Sequence, residues 1–139
     1  MYRLGKKSKR ELVGVNPILA FAVSEAIKIT KQDFMVFDGL RSYREQLKLV
    51  RRGVSKTMNS KHLTGNATDL VAFVNGQPSW EEVYYIEIEI AMKTVIKKYN
   101  LPIVWGFDKW GWDMPHWQVT KTARRGYDVR RFAPHLIVT

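Results

Sequence analysis

Apolar positions along the chain switch between a helical and a strand period, and the switches divide it into short elements. Leu19, Val23, Ala26 and Ile27 fall on one stripe at helical spacing. Asn16 before them is an N-cap acceptor and Pro17 suits the first helical position, which predicts a helix to about Thr30. Residues 34–37 form an apolar run closed by Asp38-Gly39, the pattern of a strand and a turn. Ser42 with Glu45 three residues later makes a capping box. Tyr43, Leu47 and Val50 then recur at helical spacing before a stop at Gly53. Residues 54–65 are polar and read as a loop. A strand follows over about Ala67–Val74, ended by the strong turn signal Asn75-Gly76.

Ser79 with Glu82 predicts a second capping box, opening a long helix to about Tyr99. Within it Ile86-Glu87-Ile88-Glu89-Ile90 alternates with period two, as a strand would. Val83, Ile86 and Ile90 continue at spacing three to four, which favours a helix with those three on its apolar stripe. Two further strands are expected, near Ile103–Trp105 and over 116–120. Helices and strands that do not alternate regularly point to an α+β fold, a small antiparallel sheet packed against about three helices.

Length and composition sharpen this picture. With 139 residues, 45% hydrophobic and 26% charged, the chain reads as one globular domain spanning 1–139. It has no apolar stretch of about 18 residues, so no membrane insertion is expected. The start, MYRLGKKSKRELVGV, is basic but lacks the apolar region of a secretory signal. A net charge of +10 implies attraction to DNA, RNA, anionic lipid or the acidic polymers of a bacterial envelope. The basic residues come as scattered pairs, Lys6-Lys7, Arg51-Arg52, Arg124-Arg125 and Arg130-Arg131, and charge alone does not choose among those partners.

The absence of cysteine removes disulfides, a thiol nucleophile and any thiolate metal site, leaving three histidines and the carboxylates. A catalytic zinc takes three such ligands and keeps a fourth position open. His62, Asp69 and His116 supply two imidazoles and a carboxylate. Seven residues separate His62 from Asp69, which on a straight strand puts them on opposite faces; Gly65 between them permits a bend that turns both inward. Asp113, three residues before His116, is the candidate general base, and Pro115 biases Met114 toward extended backbone. Each residue also has an ordinary reading: a histidine near a strand as a packed or surface residue, an aspartate in a loop as a turn former.

Ser60-Lys61-His62-Leu63-Thr64-Gly65-Asn66-Ala67-Thr68-Asp69 matches the pattern SxHxxGxAxD, and Asp113-Met114-Pro115-His116-Trp117 places an acidic residue three before a histidine. Both resemble the signatures of zinc peptidases related to D-alanyl-D-alanine carboxypeptidases and hedgehog-type domains. The chain resembles in particular the L-alanyl-D-glutamate peptidases that tailed phages use as endolysins. Gly14-Val15-Asn16-Pro17, Asp38-Gly39-Leu40-Arg41-Ser42, Gly53-Val54-Ser55-Lys56-Thr57 and Trp105-Gly106 extend the likeness in order over about residues 12–120. A departure is Trp105-Gly106-Phe107-Asp108-Lys109-Trp110, where a Trp-Gly-Gly-Asp-Trp-like segment is expected.

The resemblance implies that His62, Asp69 and His116 bind one zinc ion, that Asp113 is the base, and that Arg41 and Ser60 are substrate-side polar residues. A guanidinium suits that place, since it grips a carboxylate bidentately and D-Glu carries its α-carboxylate beside the scissile amide. The bland alternatives are a salt bridge for Arg41, a cap hydroxyl for Ser60 and a solvated helix position for Gln46. Trp105, Trp110, Trp112 and Trp117 are cleft walls or core, and His135 matches nothing. The expected function is endopeptidase action on bacterial peptidoglycan by a monomer with no nucleic-acid partner. The expected location is the host cytoplasm, with a separate membrane-permeabilising protein letting the enzyme reach the wall. Rival readings are a D,D-carboxypeptidase with the same metal site, and a non-enzymatic basic module binding nucleic acid or wall polymer.

Overall fold

Asn16 begins the first long helix as its sequence suggests, its side chain accepting from Ile18 N–H at 2.9 Å with Pro17 in the first turn. In the computed structural model, which describes residues 1–120, the chain forms α1 (Lys6–Glu11), α2 (Pro17–Ile29), β1 (Phe34–Asp38) and α3 (Tyr43–Arg51). It continues with β2 (Ala67–Val74), β3 (Gln77–Ser79), α4 (Tyr85–Tyr99), β4 (Ile103–Trp105), α5 (Gly106–Trp110) and β5 (His116–Val119). His135 and the pairs Arg124-Arg125 and Arg130-Arg131 lie outside the described residues.

The fold is α+β, and every strand pairing is antiparallel. β2 is the centre of the sheet, in the order β1-β2-β5-β4. Asp69 pairs with Asp38 of β1 and with His116 of β5, while Ala72 pairs with Phe34 of β1 and with Ser79 of β3. One edge of β2 therefore carries β1, and the other is shared by β5 and then β3. Asn75 and Gly76 turn the β2–β3 hairpin with φ of 51° and 79°, as a tight primed turn requires.

Side chains alternate across β2 and β5, and the two faces have different fates. Leu70, Ala72, Trp117 and Val119 join the apolar core with Ile18, Leu19, Ala22, Val23 and Ala26 of α2 and Ile88, Ala91, Met92 and Val95 of α4. Asp69, His116 and Gln118 point to the opposite face. The helices thus cover one side of the sheet and leave the other for polar chemistry.

The structure departs from the hydrophobic pattern in four places. Ser79 does not cap α4; it ends β3, and a 3-10 turn over Glu82–Tyr84 comes before the helix. The reason is Tyr85, whose buried ring sends its hydroxyl to donate to Ser79 C=O at 2.8 Å and to accept from Ala72 N–H at 3.3 Å. This rotates α4, so that Tyr85, Ile88, Ala91, Met92 and Val95 face inward and the expected stripe of Val83, Ile86 and Ile90 faces solvent. In α3 the Ser42–Glu45 capping box forms, but Tyr43 is exposed and the residue buried completely is Gln46, contrary to the solvated position expected.

Two short helices, α1 and α5, have no apolar period to announce them. α1 is held by Ser8, whose hydroxyl accepts from Val36 N–H at 2.9 Å and so covers part of the β1 edge. Helix α5 occupies the segment that departs from the resembled pattern. Lys93 Nζ anchors it to α4 by meeting Asp108 at 2.9 Å and Glu89 at 2.6 Å, and it lies 5.0 Å over the Trp105 ring.

The rotation of α4 gives an expected outcome for chemical denaturation. Ile88→Ala should cost about 2–5 kcal/mol through the lost burial and the cavity left behind. Ile90→Ala, two residues away in the same helix, should change stability by no more than about 0.5 kcal/mol. A larger loss from Ile90→Ala than from Ile88→Ala would mean that the pattern-based stripe, not the observed one, faces the core.

Candidate metal centre

His62, Asp69 and His116 reach one point from three pieces of chain. Asp69 and His116 are direct cross-strand partners on β2 and β5. His62 comes from a 3-10 turn over Lys61–Thr64, not from a strand. Gly65 closes that turn with φ of 74°, and a Cβ there would lie 2.3 Å from Gly14 C=O, so the backbone conformation and the space both require glycine. Ser60 caps the turn, its hydroxyl accepting from His62 N–H at 3.2 Å.

The donor atoms lie within 4.8 Å of one another. His62 Nε2 is 3.4 Å from Asp69 Oδ2, and His116 Nδ1 is 3.3 Å from Asp69 Oδ1. The outer nitrogens of both rings are engaged. His62 Nδ1 is 2.8 Å from Gly39 C=O, and since a carbonyl only accepts, this nitrogen carries the proton. His116 Nε2 is 2.9 Å from Gln118 Oε1, two residues along the same face of β5. With those tautomers, both inner nitrogens present lone pairs to a carboxylate. Asp69 Oδ1 is correspondingly buried without a hydrogen-bond donor.

A cluster of acceptors with no donor among them calls for positive charge, either protons on the rings or a cation. In the absence of a cation, protons answer. Burial pushes the His116 pKa down, but its hydrogen bond to Asp69, that carboxylate's charge, Gln118 and Asp113 together raise it above the ordinary histidine value. Burial pushes Asp69 up, and hydrogen bonds and positive charge from His116 and His62 overcome this, holding it well below the usual carboxylate range. Two imidazoles oriented by outer-nitrogen hydrogen bonds, with one carboxylate, are a donor set that fits a divalent ion of the zinc type.

Asp113 sits beside this cluster in the loop between α5 and β5. Its φ of 66° is left-handed, a conformation aspartate tolerates better than most residues. Its C=O accepts from His116 N–H at 3.3 Å. Burial raises its carboxyl pKa and the negative charge of Asp69 adds to this, against the opposing pull of His116 and His62. Gly106 lets α5 press against this loop, since a Cβ there would lie 2.8 Å from Asp113 C=O and 2.9 Å from His116 Cβ. The neighbouring Trp110 ring packs 5.1 Å from the His116 ring.

Arg41 is bound on two sides. Its guanidinium is paired with Asp38 through Nε and Nη2, and its Nη1 donates to Gln46 Oε1 at 2.6 Å. Gln46 in turn donates to Ser55 Oγ at 2.9 Å and Thr57 C=O at 2.6 Å. A glutamine is buried here because all of its polar atoms are used, which hydropathy cannot show. The backbone N–H of Arg41 also donates to His62 C=O at 2.8 Å, tying this network to the turn that carries the histidine.

The tryptophans divide by role. Trp105 and Trp117 are core, stacked at 5.6 Å, whereas Trp110 and Trp112 are exposed. An aromatic residue the sequence reading passed over, Trp80, joins Trp112 and Asp113 in lining an open cleft of about 260 Å³. No regular signal marks Trp80, a lone tryptophan between β3 and the turn before α4.

The chain is 25% identical over 111 residues to the L-alanyl-D-glutamate peptidase of Escherichia phage T5, covering 77% of this chain and 81% of that one. Its fold matches the crystal structure of the Serratia marcescens L-Ala D-Glu endopeptidase ChiX with a TM-score of 0.79 and 36% identity, over 91% of this chain and 94% of the other. The model for the family described as phage L-alanyl-D-glutamate peptidase matches residues 1–129, a span that takes in the His–Asp–His cluster, Asp113 and all the described strands. By that match the chain belongs to the phage L-alanyl-D-glutamate peptidase family.

Proposed function

We propose that the protein is a zinc-dependent endopeptidase that hydrolyses the L-alanyl–D-glutamate bond of the peptidoglycan stem, serving a phage as its lysis enzyme. The observation that carries this reading is the set of lone pairs at His62, Asp69 and His116, converging beside Asp113 without a donor in a chain of this family. His62, Asp69 and His116 would hold one zinc ion, which would supply Lewis acidity for the hydrolysis.

The remaining work falls to this chain's own groups. Asp113, with its affinity for protons raised, accepts a proton from the attacking water and delivers it to the leaving amine of D-Glu. Arg41 uses three of its five N–H groups on Asp38 and Gln46, and the others are directed to a substrate carboxylate. Ser60 has no acceptor for its hydroxyl proton among the described residues and donates it to the bound peptide. Gly39 C=O and the Gln118 amide keep the two imidazoles in the tautomers that leave their inner nitrogens free.

A net charge of +10 favours the anionic wall, where the enzyme acts as a monomer without a nucleic-acid partner. None of the described helices is long and apolar enough to cross a membrane. The protein collects in the host cytoplasm and meets its substrate once a separate protein has permeabilised the membrane.

Zinc analysis and wall digestion test the reading together. Wild type should carry about one zinc per chain and expose new amines on D-Glu rather than release D-Ala. His116→Ala should lose both metal and lysis. Asp113→Asn should keep its zinc while activity falls about 10²–10⁴-fold. A wild type that digests walls undiminished after complete chelation ends the zinc assignment, and release of D-Ala instead identifies a carboxypeptidase.

Zinc affinity should depend on pH in a defined direction. Metal and proton compete for His116 Nδ1, and the His116 pKa lies above its ordinary value in the metal-free protein. Affinity should therefore begin to fall at a pH above that ordinary value and decline about tenfold per pH unit for each proton displaced. In the metal-free protein the His116–Asp69 pair stabilises the fold between the two shifted pKa values. Its contribution is lost above the raised histidine value and below the depressed carboxylate value. Competitive titration with a chromophoric chelator across pH measures the first effect, and thermal melts of metal-free protein the second.

A further inference from the structure

The cleft beside Asp113 has a composition that sets it apart from the surface around it. Trp80, Tyr85, Phe107 and Trp112 line it together with Glu82 and Asp113, and among the described residues no lysine or arginine does so. In a chain of net charge +10, the charged residues among these described lining residues are both acidic. Among the described residues neither Glu82 nor Asp113 takes part in an ion pair.

The walls are braced even where they are exposed. Trp80 is 58% exposed, yet its ring meets Phe37 edge-on at 5.3 Å, and Lys7 Nζ lies 5.3 Å over the other ring of that pair. Trp112 is 65% exposed and packs at 6.1 Å on Trp110. Phe107 lies 5.1 Å from Trp105, and Tyr85 is fixed through its hydroxyl to Ser79 and Ala72. A group entering the cleft meets a preformed surface and does not have to order it.

Four aromatic and two acidic residues around a cleft of about 260 Å³ make an environment suited to an organic ammonium group, through ring quadrupole and charge together. We propose that this cleft is a cation subsite that receives the side-chain ammonium of the diamino acid following D-Glu in the stem peptide. The assignment rests on the peptidase reading above for the identity of the substrate, and it adds a specificity residue, Glu82, to the groups named there. Asp113 belongs to both the cleft and the metal centre, which places the subsite next to the bond that is cut. A stem peptide whose diamino acid is already cross-linked through that amine loses the charge, so the enzyme discriminates in favour of uncross-linked stems.

The test uses the dipeptide γ-D-Glu–L-Lys and its Nε-acetyl form, titrated into the purified protein while tryptophan emission is followed, since Trp80 and Trp112 report on the cleft. In wild type, acetylation should weaken binding about tenfold at low salt. In Glu82→Gln, whose side chain is exposed and whose thermal melt checks the fold, the ratio should shrink to about twofold or less. Equal binding of the two dipeptides by wild type, no binding of either, or an unchanged ratio in Glu82→Gln overturns the proposal. Tighter binding of the acetylated form does so too and marks the cleft as a site for an uncharged group. Cleavage of L-Ala–γ-D-Glu–L-Lys by the zinc-loaded enzyme is measured separately. If that peptide is not cut, the peptidase reading fails, whatever the titration shows about the cleft.

Discussion

The structure is organised around an electrostatic conflict. Asp69 faces the inner nitrogens of His62 and His116 at 3.4 and 3.3 Å, and the outer nitrogens of both rings are committed to Gly39 C=O and Gln118. Lone pair meets lone pair, and one carboxylate oxygen is buried with nothing donating to it. A protein relieves such an arrangement by taking up protons or a metal ion, and either choice couples the site to its solution conditions. The rest of the fold can be understood as what it takes to hold these atoms in opposition. The β2–β5 register sets Asp69 opposite His116, and the glycine-closed turn swings His62 in from the side.

Holding acceptors together costs stability, and the opposite face of the sheet supplies the compensation. There α2 and α4 bury an almost wholly apolar layer against Leu70, Ala72, Trp117 and Val119. Trp117 and His116 are adjacent in sequence and serve opposite faces, one as the largest fully buried side chain among the described residues and the other as a polar ligand candidate. The sheet therefore separates the task of staying folded from the task of chemistry at the thickness of one strand. Around the rim, Lys93 binds α5 to α4, so Asp108 serves as an anchor for the helix that presents Trp110 to His116.

Much of this was legible in the chain. Positions with a local cause came through: Asn16 and Pro17 start α2, the Ser42–Glu45 box starts α3, and Asn75-Gly76 turns the hairpin. The convergence of His62, Asp69 and His116 was legible from ligand chemistry and the resemblance, although His62 reaches the site from a turn. What escaped was decided by contacts distant in sequence. The Tyr85 hydroxyl reaches Ala72 and rotates α4 away from its most regular isoleucine stripe. Gln46 is buried by a network running from Arg41 to Thr57, and α1 forms under a basic segment because Ser8 meets the β1 edge. Periodicity reads the face a helix offers, and here long-range hydrogen bonds chose the face it uses.

The order of the strands along the chain also bears on how the site comes into being during synthesis. Asp69 and His62 lie in the first half of the sequence, but the partner strand that carries His116 is the last described element. At translation rates of about 5–20 residues per second, a nascent chain has Asp69 for some seconds before His116 exists. During that interval the outer half of β2 has no β5 beside it, and two of the three donors have no third. The growing polypeptide can therefore form α2 and β1 early, yet the three donors cannot come together until β5 docks on β2. Maturation of the centre thus waits for the strand that carries His116.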